Sequence, residues 1–170
     1  MVSLSNNVRI NQVSSFLKEA ISNAKNEDIP KGSEIKIPVV YGGEHGPDLK
    51  RVSKYTGLSE SEVIDRHSQP IYLVYFIGFS IGFPYLGGMD ESISTPRLDS
   101  PRKIVDSGHI GIAGSQTGIY PLSSPGGWNL IGKTPLNVFD TNSPESSILK
   151  MGDRLKFFQI EESKFESFIG

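Results

Sequence analysis

Cysteine is absent from the 170 residues. That removes disulfide staples, zinc–thiolate sites and a cysteine nucleophile together. Histidine occurs three times. His45, His67 and His109 do not stand at metal-ligand spacing, so no metal site is expected. An excess of one charge is also missing. Seventeen Lys and Arg against nineteen Asp and Glu give a net charge of −2, and the basic residues form no stripe of the kind nucleic acid needs. No long hydrophobic run occurs either. The most apolar stretch, Ile71 to Phe79, is far below the roughly 20 residues that span a bilayer. Met1 to Asn7 lacks the basic start and apolar run of a signal peptide. The cytoplasm is therefore the expected location, with neither membrane nor nucleic acid as partner.

What remains is a globular composition, 36% hydrophobic and 21% charged, sized for one domain or one domain with a short appendage. The 18 glycines and 11 prolines crowd between Gly78 and Pro135, which suits short strands joined by tight turns. Val8 to Lys25 carries apolar residues at three- and four-residue spacing and predicts a helix, with a linker over Asn26 to Gly32. Glu34 to Tyr41 alternates as a strand. Pro47 to Tyr55 predicts a short helix with Pro47 at its first position and Gly57 at its stop. Ser59 with Glu62 matches a capping box opening a second helix, and the two helices in tandem read as a cap on a β-structure. Ile71 to Phe79 predicts a buried strand. Further strands are predicted at Ile104–Val105, His109–Ala113, Thr117–Tyr120, Trp128–Ile131, Asn137–Phe139 and Arg154–Ile160, and a weak helix or tail at Phe165–Ile169. No helix separates successive strands, so the fold class is mainly β, a barrel or sandwich rather than a parallel βαβ arrangement.

Three segments stand out as carriers of chemistry: Tyr41 to Leu49, Gly82 to Gly88, and Gly111 to Pro121 followed by Ser124 to Gly132. Phe83-Pro84-Tyr85-Leu86-Gly87-Gly88, Pro96-Arg97-Leu98, Pro101-Arg102, Gln116-Thr117-Gly118-Ile119-Tyr120-Pro121, Pro125-Gly126-Gly127-Trp128 and Gly152-Asp153 occur in fixed order. In these motifs the chain resembles the family of the 5-oxoprolinase B subunit, also called allophanate hydrolase subunit 1, which includes a sporulation histidine-kinase inhibitor. The resemblance runs from about Ile35 to about Phe158. It implies a cyclophilin-like closed β-barrel with short capping helices over 34–170. It also implies a fuller N-terminal domain, of which 1–33 would be a helix-and-linker remnant. It implies partners, namely the 5-oxoprolinase C subunit, a related barrel, and the third, A subunit. Together they would open a small amide, 5-oxoproline, to glutamate, with ATP as co-substrate of the complex and no tightly bound cofactor. A similar domain pair in urea carboxylase implies an alternative amide- or urea-processing role. The kinase inhibitor implies another, a regulatory module docking on a sensor histidine kinase. Prolyl isomerisation follows only by analogy with the barrel. One departure is His45, where the family pattern has Phe.

On the residues themselves, Glu44 and Asp48 flank a helix start, where acids either cap the helix or serve a ligand or catalytic role. His45 between them is either a general base or a surface contact. Arg97 and Arg102, in a Pro-flanked loop, either hold a carboxylate, which 5-oxoproline carries, or pin the loop by salt bridges. Gln116 and Thr117 offer donors and acceptors for an amide, or satisfy a hairpin. Tyr85, Tyr120 and Trp128, with Phe83, either wall a pocket or belong to the core. Gly127, Gly132, Lys133 and Thr134 have P-loop spacing, but strand-like residues between them and Pro135 after them oppose a P-loop. Lys133 remains a candidate phosphate contact as a lone charge. The expectation that joins these assignments is that the Glu44 turn and the Gln116 turn line one hollow.

Overall fold

The structure, a computed structural model, describes residues 10–23, 32–78, 81–143 and 147–169. The chain divides between Lys31 and Gly32 into two compact units. In the first, the predicted helix is α1, Ile10–Asn23. The predicted helix ends and residues 26–31 of the linker lie outside the described residues.

Among the described residues of the second unit there are nine strands: β1 Glu34–Tyr41, β2 Tyr72–Ile77, β3 Pro84–Gly87, β4 Arg102–Val105, β5 His109–Ala113, β6 Gln116–Ile119, β7 Ser124–Gly126, β8 Asn129–Lys133 and β9 Arg154–Gln159. Seven of them close a barrel in the order β1-β8-β5-β6-β3-β2-β9. The closing contact, β9 against β1, is parallel, from Glu34↔Arg154 to Val39↔Gln159; the other barrel pairings are antiparallel. Asp153 fastens this seam, its two oxygens accepting from Ser33 N at 2.9 Å and Lys150 N at 2.7 Å. β4 and β7 form a separate two-stranded ribbon.

One side of each barrel strand faces inward. Ile37, Val39, Tyr72, Val74, Ile110, Ile112, Ile119, Ile131, Leu155 and Phe157 are buried there as one core. Helices α2 (Leu49–Thr56) and α3 (Glu60–Ser68) add Leu49, Val52 and Val63 to it, and so cover the barrel as the sequence predicts. The Ser59–Glu62 capping box opens α3. The mainly β fold and the closed barrel agree with the sequence reading.

Several local readings change. Pro47 lies outside α2, because Asp48 takes the N-cap and Leu49 the first helical position. The Ile71–Phe79 run is a one-sided strand: Tyr72 and Val74 point inward, while Leu73, Tyr75, Phe76 and Ile77 are exposed. Residues 137–139 form no strand; Val138 is nevertheless buried in the core. β3 and β7 escape the sequence pattern, since each contains a proline that depresses strand propensity. The C-terminal segment is a 3-10 helix, Glu162–Phe168.

Candidate ligand cleft

A second apolar cluster forms on the outer side of the strands that line the barrel: Phe83, Val105, Ala113, Tyr120, Trp128 and Leu130, with Tyr85 against it. Two glycines make it possible. Gly111 of β5 and Gly118 of β6 are register partners. A Cβ on Gly118 would lie 2.7 Å from Phe83 Cζ, and one on Gly111 would lie 2.9 Å from Trp128 Cβ. Without those methyls the aromatic side chains lie directly on the sheet. Phe83 then meets Trp128 edge-on at 5.3 Å, Tyr85 at 5.3 Å and Tyr120 at 5.7 Å, the geometry that ring quadrupoles favour. Tyr85 stacks on Phe76 at 4.2 Å. The β4–β7 ribbon and its flanks supply the facing wall, with Pro101, Ser124, Pro125, Gly126 and Gly127. The cleft enclosed is about 210 Å³, the scale of a small ligand rather than a nucleotide.

One guanidinium lines this cleft, and a second opens the ribbon that walls it. Arg97 lines the cleft and lies over the Trp128 ring, 5.9 Å from the centroid. Arg102 opens β4 beside Gly126, and its Nη2 donates to Asp48 Oδ1 at 2.8 Å. Its Nη1 is buried without a partner among the described residues. A buried donor left unmade costs about 1–3 kcal/mol. Burial raises the Tyr120 phenol above its ordinary value, against the smaller opposing effects of a backbone hydrogen bond from Trp128 and of the Arg97 and Arg102 charges. At neutral pH Tyr120 is therefore a protonated hydroxyl within the field of two cations.

Asp48 departs from the capping reading. It is the N-cap of α2, yet its side chain makes no cap hydrogen bond. One oxygen takes Arg102, and the other accepts from Leu130 N at 2.7 Å. The carboxylate thus ties α2 to both β8 and β4, and the salt-bridge reading of Arg102 describes what is seen.

The remaining sequence candidates lie elsewhere. Glu44 is exposed in its turn. His45 pairs with Glu162 at 3.3 Å and stacks on Phe165 at 4.8 Å, so it faces the C-terminal 3-10 helix. Lys133 ends β8, so its segment is a strand and not a phosphate loop. It lines a separate groove of about 190 Å³ with Ser107, Thr134 and Phe165. Gln116 is exposed at the start of β6. Thr117 is completely buried inside the barrel. Its hydroxyl donates to Gly111 O at 3.0 Å and accepts from His67 Nε2 at 2.9 Å, while Tyr41 donates to His67 Nδ1 at 2.8 Å. The Glu44 and Gln116 turns therefore do not share a hollow. The cleft gathers Tyr85, Arg97, Tyr120 and Trp128; Arg102 and Asp48, paired with each other, are not among the residues that line it.

Sequence reasoning passes over polar residues that the packing makes prominent. His67 is fully buried, and burial lowers its pKa to about 3, so it is a neutral hydrogen-bonding plug. Asn129 is also fully buried, and Arg51 donates to its Oδ1. The available signal is a polar Asn within the apolar run Trp128–Ile131, since a buried amide must find partners.

The architecture is that of a closed seven-stranded barrel domain with an aromatic cleft on the outer face of its strands. The chain belongs to the carboxyltransferase domain, subdomain C and D family, whose model matches residues 1–149. Three relatives bear the name of the 5-oxoprolinase B subunit, in line with the resemblance carried by the motifs. That of Haemophilus influenzae is 53% identical over 127 residues, 75% of this chain and 60% of the relative. That of Bacillus subtilis is 51% identical over 134 residues, 79% of this chain and 56% of the relative. That of Escherichia coli O157:H7 is 50% identical over 133 residues, 78% of this chain and 61% of the relative. The chain thus spans less than two thirds of the length of the curated relatives it matches. Among solved structures, a conserved uncharacterized protein of Pyrococcus horikoshii is 48% identical with a TM-score of 0.75, covering 91% of this chain and 68% of its own. Urea carboxylase of Kluyveromyces lactis, at 19% identity and a TM-score of 0.65, covers 92% of this chain and 17% of its own, a likeness of fold. Among the described residues, no helix is long and apolar enough to cross a membrane.

Proposed function

We propose that this chain supplies the barrel of a 5-oxoprolinase B subunit. In this reading it works with the related barrel of the C subunit and with the A subunit to open 5-oxoproline to glutamate, with ATP as co-substrate. The observation that supports this most directly is the aromatic cleft lined by Phe83, Tyr85, Tyr120 and Trp128, with the Arg97 guanidinium over the Trp128 ring. 5-Oxoproline is small and nearly flat, with one carboxylate and one lactam carbonyl. Trp128, Tyr85 and Phe83 offer faces for the ring. Arg97, which lines the cleft, is a donor for the carboxylate. The Tyr120 hydroxyl is a donor for the carbonyl oxygen. An unactivated amide is a poor electrophile, so charge developing on that oxygen needs such donors. ATP supplies the driving force of the ring opening. The chain's own part is to bind the substrate, orient it and exclude water beneath it.

The test is reconstitution. The chain is mixed with the A and C subunits, ATP and 5-oxoproline, and glutamate is measured. Glutamate should form, and Arg97→Ala should raise KM about tenfold with a smaller effect on kcat, because a carboxylate contact contributes to binding in ground and transition states alike. Absence of glutamate from the complete mixture, or unchanged kinetics for Arg97→Ala, overturns the reading.

A further inference from the structure

Two residues that do not line the cleft converge on the peptide that carries Arg97. Asn129, at the start of β8, is fully buried and has every polar side-chain atom engaged. Its Nδ2 donates to Pro96 O at 2.8 Å and Ile112 O at 2.9 Å, and stands 3.5 Å from Thr95 O. Its Oδ1 accepts from Arg51 Nη1, and the same Nη1 lies 3.4 Å from Pro96 O. Pro96 O belongs to the peptide unit that continues into Arg97 N. Fixing that carbonyl therefore fixes where the Arg97 side chain departs. The flanks are held as well: Thr95 bridges Gly114, and Leu98 N donates to Gly127 O at 2.8 Å.

Arg51 stands three residues beyond Asp48, so both project from the same side of the first turn of α2. Asp48 holds Arg102 and Leu130 N; Arg51 holds Asn129 and Pro96. One helical turn thus grips both arginine-bearing segments and the first two residues of β8. We propose that Arg51, acting through Asn129 and Pro96, is a positioning residue that seats Arg97 over Trp128 and, with Asp48, sets the separation of the Arg97 and Arg102 guanidiniums. This rests on the cleft being the ligand site. Its geometric core, the seating of Arg97 on Trp128, is measurable without any ligand.

Trp128 is the sole tryptophan of the chain, so tryptophan emission comes from this ring alone, and the Arg97→Ala variant isolates the share of its shielding that the Arg97 contact supplies. The experiment compares acrylamide quenching of Trp128 in the ligand-free chain for the native sequence, Arg51→Met, Arg97→Ala and the double variant. Arg97→Ala should raise the quenching constant by on the order of twofold, as the covering cation leaves the ring. Arg51→Met should do the same, and the double variant should match Arg97→Ala alone, because the two changes act through one contact. Native quenching in Arg51→Met, or additive effects in the double variant, overturns the proposal. Arg51→Lys keeps the charge, the helix propensity and enough donors, but its ammonium is not held in the planar geometry of the guanidinium and sits on a shorter side chain. It should fall between the native chain and Arg51→Met, and it decides the matter if Arg51→Met does not fold. A titration of 5-oxoproline followed on the same fluorophore should then show binding weakened about fivefold by Arg51→Met, the scale of one cation–π contact. A native chain that binds no 5-oxoproline removes the proposed substrate and leaves the ligand-free comparison to decide the seating of Arg97.

Discussion

Acidification should destabilise this barrel through His67. The ring is completely buried, stacked on Phe157 at 4.7 Å, with Nδ1 facing the Tyr41 hydroxyl and Nε2 facing Thr117. Thr117 spends its hydrogen on Gly111 O, so Nε2 carries the ring proton and Nδ1 accepts. No carboxylate is among these contacts, and burial lowers the pKa from 6.5 to about 3. The unfolded chain therefore takes up a proton as pH falls through 6.5, while the folded chain resists until about 3. The unfolded state binds more protons across that window, so stability is full above pH 6.5 and declines below it. Each pH unit inside the window costs about a factor of ten in the folding equilibrium, so pH 4.5 costs about 3 kcal/mol relative to neutrality.

Other groups also respond to acid, including His109, whose pKa burial lowers, so the His67 share requires a variant. His67→Gln keeps a donor and an acceptor but does not titrate. Urea unfolding of both proteins from pH 7.5 to 4.5 gives the comparison. At pH 7.5 the variant should be less stable by about 2 kcal/mol, from lost ring packing and imperfect hydrogen bonds. Its pH dependence should be flatter, so that the two stabilities meet near pH 5. Parallel profiles would refute the assignment of acid sensitivity to His67.

Two further perturbations test the framework that carries the cleft. Gly118→Ala would place a methyl 2.7 Å from Phe83 Cζ and 3.1 Å from Pro84 O; it should cost about 1–3 kcal/mol in thermal unfolding and shift Trp128 emission through the Phe83 contact, and native stability with native emission would contradict the glycine floor. Ser59→Ala removes the hydroxyl that accepts from Glu62 N at 3.2 Å; a drop in Tm of about 2–4 °C is expected for one lost cap, and an unchanged Tm would show that α3 is held by its core face alone.

The capping box and most strand positions are legible because both rest on short-range chemistry: a hydroxyl and a carboxylate three residues apart, or alternation at period two. Registers and faces are not. Gly111 and Gly118 sit in one motif as two loosely spaced glycines; only strand pairing makes them adjacent and gives the aromatic rings a flat bed. Thr117, between them in sequence, turns to the other side of the sheet and meets His67, which is why a residue next to the cleft motif does not reach the cleft. Tyr85, Arg97, Tyr120 and Trp128 are legible as residue types suited to a pocket, but their meeting depends on the ribbon of β4 and β7, and β7 carries a proline that argues against a strand. Arg51 is the least legible of all. A lone arginine on a polar helix reads as a solvated charge, and nothing local distinguishes it from Lys50 or Lys54. Its partner, Asn129, is 78 residues away. Even so, the pairing follows from a general constraint. A polar amide at the head of a buried strand must satisfy both a donor and an acceptor, and of the residues on the adjoining helical turn only a long side chain carrying several donors reaches it. Positioning residues of this kind are found by asking where a buried amide obtains its partners rather than by scanning for reactive side chains.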